Sequence, residues 1–186
     1  MKGNLTNNNN LSEDGLEYDQ IKQYIDFLFE SHKNGNITED ELYRQSGKVP
    51  YPCHCLLAAQ LLLADRGIEW SERKNGYLAL LLHDVLEKTN YKLPDWVDAD
   101  VKELIEGLTI DREGREISVE EQIFSKSSNV QLLILIDMYS SLYEEHVRPE
   151  NKEMWILGMN RLVEILEPIY ENTNLFTIIK ATLVRY

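Results

Sequence analysis

Two acids and a histidine stand where the surrounding residues predict an apolar interior. In Tyr77-Leu78-Ala79-Leu80-Leu81-Leu82-His83-Asp84-Val85-Leu86 a His-Asp pair interrupts a leucine-rich helical run. In Val130-Gln131-Leu132-Leu133-Ile134-Leu135-Ile136-Asp137-Met138 a lone Asp interrupts another. An unpaired carboxylate buried in such a setting costs several kcal/mol, so each acid needs a partner. A divalent cation is one partner able to satisfy both. His54 opens a further apolar helix, which makes His54, His83, Asp84 and Asp137 a candidate ligand set of four. Imidazole and carboxylate together suit first-row ions such as manganese, iron or zinc, whereas calcium and magnesium favour all-oxygen shells. On a six-coordinate ion, four protein ligands leave room for water or substrate. Glu87 follows His83 by four residues and Asp84 by three, on the same helical face. A carboxylate there is placed to orient or deprotonate water.

Other chemistry fits the same residues taken singly. His83-Asp84 alone is also what a structural hydrogen-bonded pair looks like, and Asp137 alone could cap a neighbouring helix or pair with an arginine. Cys53 and Cys55 flank His54, but adjacent residues on a helix point apart and the usual zinc spacings are missing. The sequence therefore reads both cysteines as small packing residues.

The elements that must position these groups are helical. Ile21, Tyr24, Ile25 and Leu28 recur at helical spacing until Asn34-Gly35-Asn36 breaks the pattern. Thr38 with Glu41 reads as a capping box opening a short helix through Arg44, which Gly47 ends. Pro50 and Pro52 hold the next residues extended. A helix is predicted over about 53–66 with Gly67 as its stop, and another over about 71–87. Val101, Leu104, Ile105 and Leu108 mark a further helix, and Ser118 with Glu121 a second capping box before a helix to about Lys126. The segment 130–146 is the most apolar. A long helix from about Asn151 has Pro168 at its end or at a kink, and residues 175–185 add a last helix. With no strand alternation, internal repeat or Gly-rich phosphate loop, the expected fold is all-α, about eight helices in one globular domain over 15–186. Residues 1–14, polar and Asn-rich, read as a loose tail.

Composition narrows the function classes. The 186 residues match one domain at about 150 residues each, and 43% hydrophobic with 27% charged residues is a globular balance. Thirty-two acidic against 19 basic residues give a formal charge of −13, which disfavours a nucleic-acid duplex or an anionic membrane as partner. No segment reaches the roughly 18 apolar residues of a membrane span, and no signal peptide is evident. Two cysteines cannot form a disulfide framework, so the expected setting is reducing and cytoplasmic.

The order His…His-Asp…Asp on separate apolar helices resembles the HD superfamily of metal-dependent phosphohydrolases. Within it, four collinear segments over about 40–145 look like RelA/SpoT-type alarmone hydrolase domains. Tyr43-Arg44-Gln45-Ser46-Gly47-Lys48-Val49-Pro50-Tyr51-Pro52-Cys53-His54 resembles their Arg-Lys-Ser-Gly-Glu-Pro-Tyr-Ile-x-His. Ala79-Leu80-Leu81-Leu82-His83-Asp84-Val85-Leu86-Glu87-Lys88-Thr89 resembles their Ala-Leu-Leu-His-Asp-Thr-Val-Glu-Asp-Thr. Val101-Lys102-Glu103-Leu104-Ile105-Glu106-Gly107-Leu108-Thr109 is similar to their Val-x-x-Leu-Val-x-Gly-Val-Thr, and Leu135-Ile136-Asp137 to their Leu-Ala-Asp.

The resemblance implies one divalent ion, manganese foremost with zinc, iron and cobalt as alternatives, held by His54, His83, Asp84 and Asp137. It implies a small nucleotide as substrate and hydrolysis of the 3′-pyrophosphate of guanosine tetra- or pentaphosphate. It makes Glu87 the first acid of the family's catalytic Glu-Asp pair, with Lys88 in the place of the second. It puts Arg44 and Lys48 near substrate phosphate, and Ser141 where the family carries an amide facing the nucleotide. The family's Asp-Lys-Leu-Tyr-Asn-Leu is Asp137-Met138-Tyr139-Ser140-Ser141-Leu142 in this chain, so the departures lie beside the ligand set rather than on it. Two other functions follow from those departures: an HD-type nucleotide phosphatase with a different substrate, and a catalytically weakened domain that binds a nucleotide.

Overall fold

The computed structural model describes residues 15–35, 42–44, 48–110, 118–143, 147 and 149–186. Helices α1 (Tyr18–Asn34), α2 (Pro52–Ala64), α3 (Trp70–Leu82), α4 (Val85–Lys88), α5 (Ala99–Leu108), α6 (Val119–Phe124), α7 (Ser128–Tyr143), α8 (Lys152–Tyr170) and α9 (Asn174–Leu183) carry the described chain. A 3-10 turn, Pro149–Asn151, leads into α8. The fold is all-α, as the periodicity predicts.

Helix α3 is the axis of the core. Every residue from Gly76 to Leu82 is buried, and α1, α2, α5 and α7 pack around it. A leucine-rich run with no polar face has to be enclosed on all sides, which is the arrangement found. Gly76 permits the closest approach: a Cβ there would sit 2.5 Å from Leu62 Cδ2 and 2.9 Å from Leu133 Cδ2, on α2 and α7. Helix α7 is buried almost throughout, whereas α5 buries the single stripe Val101, Ile105 and Leu108. Helix α8 covers α7, and α9 folds back on α8.

Several boundaries differ from the sequence expectation, each for a local reason. The short helix expected to end at Arg44 is replaced there by a strand. β1 (Tyr43–Arg44) pairs antiparallel with β2 (Val49–Pro50), with Arg44 opposite Val49. The capping box at Thr38 and Glu41 and the stop at Gly47 lie outside the described residues, as does the tail 1–14. Helix α2 starts on Pro52, whose fixed φ suits a first turn, and ends at Ala64 instead of continuing to Arg66. Asp65 terminates it, its carboxylate accepting from Gly67 N at 2.8 Å and from Leu175 N at 2.5 Å. Gly67 serves close approach rather than a left-handed stop, since a Cβ would lie 3.2 Å from Thr173 Cα. The box at Ser118 and Glu121 forms as expected, with both reciprocal bonds present, although α6 ends at Phe124. Pro168 lies in the last turn of α8, which runs two residues further.

The consequential difference is at His83-Asp84. The single helix expected over 71–87 is broken there into α3 and the four-residue α4. His83 Nδ1 lies 2.8 Å from the Leu80 carbonyl, so the side chain satisfies an acceptor that a helix end leaves open. The histidine both ends α3 and fixes its own ring.

Candidate metal centre

The first turn of α2, the α3–α4 break and the second half of α7 meet at one buried point. His54 comes from α2, His83 and Asp84 from the break, and Asp137 from α7. His54, His83 and Asp137 each present a ligand atom within 4.8 Å of the others. His54 Nε2 lies 2.5 Å from Asp137 Oδ1, and His83 Nε2 lies 3.3 Å from the same oxygen. Asp84 joins through His83, with Oδ2 at 3.2 Å from Nε2. Its nearest group is Cys55, His83 and Asp84 rather than the His54 set. All four expected residues are thus brought together, in two clusters that share one imidazole.

The remaining ring nitrogens decide the tautomers. A carbonyl can only accept, so His83 Nδ1 carries the proton donated to Leu80 O. Ser140 Oγ donates to Asp137 O at 2.9 Å and therefore accepts from His54 Nδ1 at 3.2 Å. Both rings consequently turn an Nε2 lone pair inward, toward carboxylate oxygens that are themselves acceptors. His83 Nε2 is buried, and no hydrogen bond reaches it although two carboxylate oxygens lie within 3.3 Å. Ring nitrogens and carboxylate oxygens gathered within 4.8 Å of one another, in two sets that share His83, are donors of the kind a cation requires. The donor set of two imidazoles and two carboxylates fits a divalent first-row ion.

Electrostatics agree with the geometry. Burial works against charge on His83, but the Asp84 and Asp137 carboxylates outweigh it and raise its pKa well above the ordinary histidine range. Burial likewise opposes ionised Asp84 and Asp137, yet the His83 ring draws both below the usual carboxylate range. Because the folded His83 pKa lies above the unfolded value of 6.5, its contribution to stability is complete below pH 6.5 and is lost as pH rises through the raised value. The two acids contribute above their ordinary 3.8 and lose that contribution as pH falls through the depressed values. His32, whose pKa burial lowers, adds stability that rises with pH up to 6.5. Cys55 and the buried tyrosines, with raised pKa values, lose stability only above their ordinary 9 and 10. The clean test is therefore the limb between pH 6.5 and 9. Chemical denaturation in chelator should show stability falling on that limb, and a saturating divalent cation should flatten it. A flat alkaline limb in chelator would contradict the assigned His83 environment.

The outer residues fall into place unevenly. Arg44 is 2% exposed, donates from Nη2 to Ser141 Oγ at 3.1 Å and lies over the Tyr51 ring, 5.2 Å from its centroid. The hairpin and α7 thereby join two residues expected at substrate. Tyr51 also stacks with His32, at 5.7 Å between centroids, and meets His54 edge-on. Lys48 is exposed on the hairpin, and Lys88 is half-buried at the end of α4. Glu87 turns toward the end of α5, where one oxygen accepts from Ile110 N at 2.6 Å. Met138 is buried, and its carbonyl accepts from Trp155 Nε1 at 3.0 Å.

Two contacts at this point are not legible in the sequence. Cys55 packs in the core as expected, and its Sγ also lies 3.9 Å from Asp84 Oδ2. Burial pushes its thiol pKa up. His32 is buried at the end of α1, with Nδ1 donating to Leu28 O at 2.9 Å. Nothing in the spacing of α1 marks it, because the signal is a stack onto a residue nineteen positions later.

No family model matches this chain, and no curated protein matches it in sequence. A solved structure matches it in fold. It is described as a metazoan ortholog of SpoT that hydrolyses ppGpp and plays a role in starvation responses. The match has a TM-score of 0.70 at 15% identity and covers 92% of this chain and 97% of that one. The chain shares the fold of that SpoT-type hydrolase.

Proposed function

We propose that this protein is a metal-dependent phosphohydrolase of the HD type acting on a phosphorylated nucleotide, with the 3′-pyrophosphate of guanosine tetra- or pentaphosphate as the foremost substrate. The carrying observation is the buried His83 Nε2 that faces two carboxylate oxygens without a hydrogen bond. The shared fold with a SpoT ortholog that hydrolyses ppGpp supports the substrate class.

A divalent ion at this point supplies Lewis-acid polarisation of a phosphoryl oxygen and lowers the pKa of water. The protein does the rest by position. His54 and His83 are locked by their Nδ1–H bonds to Ser140 and Leu80, so the ligand atoms are in place before any ion arrives. Arg44, buried and braced between Tyr51 and Ser141, offers charge-assisted hydrogen bonds to phosphate. Glu87 accepts the proton from the attacking water, its carboxylate oriented by the Ile110 amide. Lys88 stands where the family has an acid, and adds a cation suited to a polyphosphate. Manganese is the expected ion, and the cytoplasm the expected compartment.

A panel of phosphorylated nucleotides with added manganese tests this reading. Guanosine tetraphosphate should be turned over with release of pyrophosphate. Orthophosphate from a different nucleotide would move the assignment to an HD-type phosphatase. Tight nucleotide binding with no turnover across the panel would leave a binding domain.

A further inference from the structure

We propose that His32 is a positioning residue for substrate binding: its ring fixes Tyr51, and Tyr51 in turn fixes the Arg44 guanidinium offered to phosphate. The proposal rests on the phosphohydrolase reading above and concerns how this chain holds that arginine ready.

Three rings and a guanidinium make the contact chain. Tyr51 is the junction of two elements: its N–H donates to Leu42 O at 2.8 Å beside the hairpin, and its carbonyl accepts from His54 N at 3.0 Å as α2 begins. The Tyr51 ring carries the Arg44 guanidinium, 5.2 Å from its centroid, and meets the His54 ring at 6.3 Å and 69°. The His32 ring packs on the same tyrosine nearly parallel, at 5.7 Å and 15°. Arg44 and His32 are both buried, so water competes for neither contact, the setting in which a cation over an aromatic face counts most. The hairpin needs such bracing. Its strands are two residues each, too short to hold Arg44 by their own ladder.

The bonding of His32 separates this role from ordinary packing. Its Nδ1 donates to Leu28 O at 2.9 Å, one turn back on α1, while its buried Nε2 has no hydrogen bond among the described residues. An unpaired buried nitrogen is a cost that a phenylalanine at this position would avoid. What the imidazole gains is a fixed plane, because the Nδ1 bond sets the rotation of the ring, and that plane lies along Tyr51. Burial lowers the His32 pKa, which keeps the ring neutral and removes a charge that would repel Arg44 on the same tyrosine. The end of α1 is itself fixed against α4, since a Cβ on Gly35 would lie 2.9 Å from Thr89 Cβ. Helix α1 thereby backs the hairpin with a rigid surface.

Steady-state kinetics and the Arg44 side-chain resonance test this together. His32→Ala should raise KM for the nucleotide turned over, guanosine tetraphosphate first, by about three- to thirtyfold, the range of a desolvated cation–aromatic contact. Turnover number and bound metal should stay close to the parent values. His32→Phe, which restores a ring, should return KM most of the way. In an Arg44→Ala background the same His32→Ala change should leave KM unaltered, because the group it positions is gone. In the metal-free full chain the Arg44 Nε–H signal should stand upfield of ordinary arginines, shifted by the Tyr51 ring. It should move back toward them in His32→Ala and hold its place in His32→Phe. A merely structural histidine would lower the melting temperature without dividing KM from kcat, and that result overturns the proposal. Equal effects of His32→Ala with and without Arg44 also overturn it. So does a wild-type Arg44 signal at the ordinary position, which decides even where a variant fails to fold. Wild-type protein that turns over no nucleotide overturns the phosphohydrolase reading and the proposal with it, whereas turnover with a KM blind to His32→Ala overturns the proposal alone.

Discussion

His83→Ala is expected to remove bound metal and hydrolysis together, the largest effect of any single substitution in this chain. Its Nε2 is the one atom common to both ligand clusters, so no remaining pair of side chains spans them. The metal-free protein should suffer as well. The substitution leaves Asp84, whose side chain is 8% exposed, without its imidazole, while Asp137, at 28%, keeps only His54. Removing one partner of a buried ion pair costs about 3–5 kcal/mol, and the greater exposure of Asp137 points to the lower end. Asp84→Ala should also abolish metal binding, but with a smaller loss of stability, since it removes a charge instead of stranding one. Metal analysis beside denaturant titration separates these terms. A His83→Ala protein that retains one equivalent of metal would show that the imidazole is structural.

Glu87→Gln should leave metal content and melting temperature close to those of the parent and lower turnover by about 10²–10⁴-fold, the usual contribution of a positioned proton acceptor. The geometry makes this substitution informative. The Glu87 oxygen that accepts from Ile110 N becomes an amide oxygen able to accept the same bond, so the link between α4 and the end of α5 survives. What disappears is the capacity to take a proton. Single-turnover rates with manganese present, read against metal analysis of the same preparation, measure the two properties independently. An unchanged rate would take Glu87 out of the chemistry and confine it to fastening α4.

Much of the outcome follows from the sequence alone, because desolvation is a strong and local rule. A His-Asp pair and a lone Asp within leucine-rich runs had to be partnered, and they are. The stripe Val101, Ile105 and Leu108 and the Ser118–Glu121 box also folded as their spacing requires, since helix periodicity and capping depend on residues within one or two turns. Periodicity assigns a residue to a face but not to a neighbour on another helix. Tertiary packing decided that His54 meets Asp137 across 83 positions and that Ser140 and Leu80 fix the two rings. It also broke the helix at His83, because a side chain that takes the Leu80 carbonyl competes with the continuing ladder. It replaced the expected helix end at Arg44 with a hairpin that buries the guanidinium against Tyr51 and Ser141. Cys55 shows the division most sharply. On α2 alone it is a small residue beside His54, and only the packing of the α3–α4 break against α2 sets its sulfur 3.9 Å from Asp84 Oδ2.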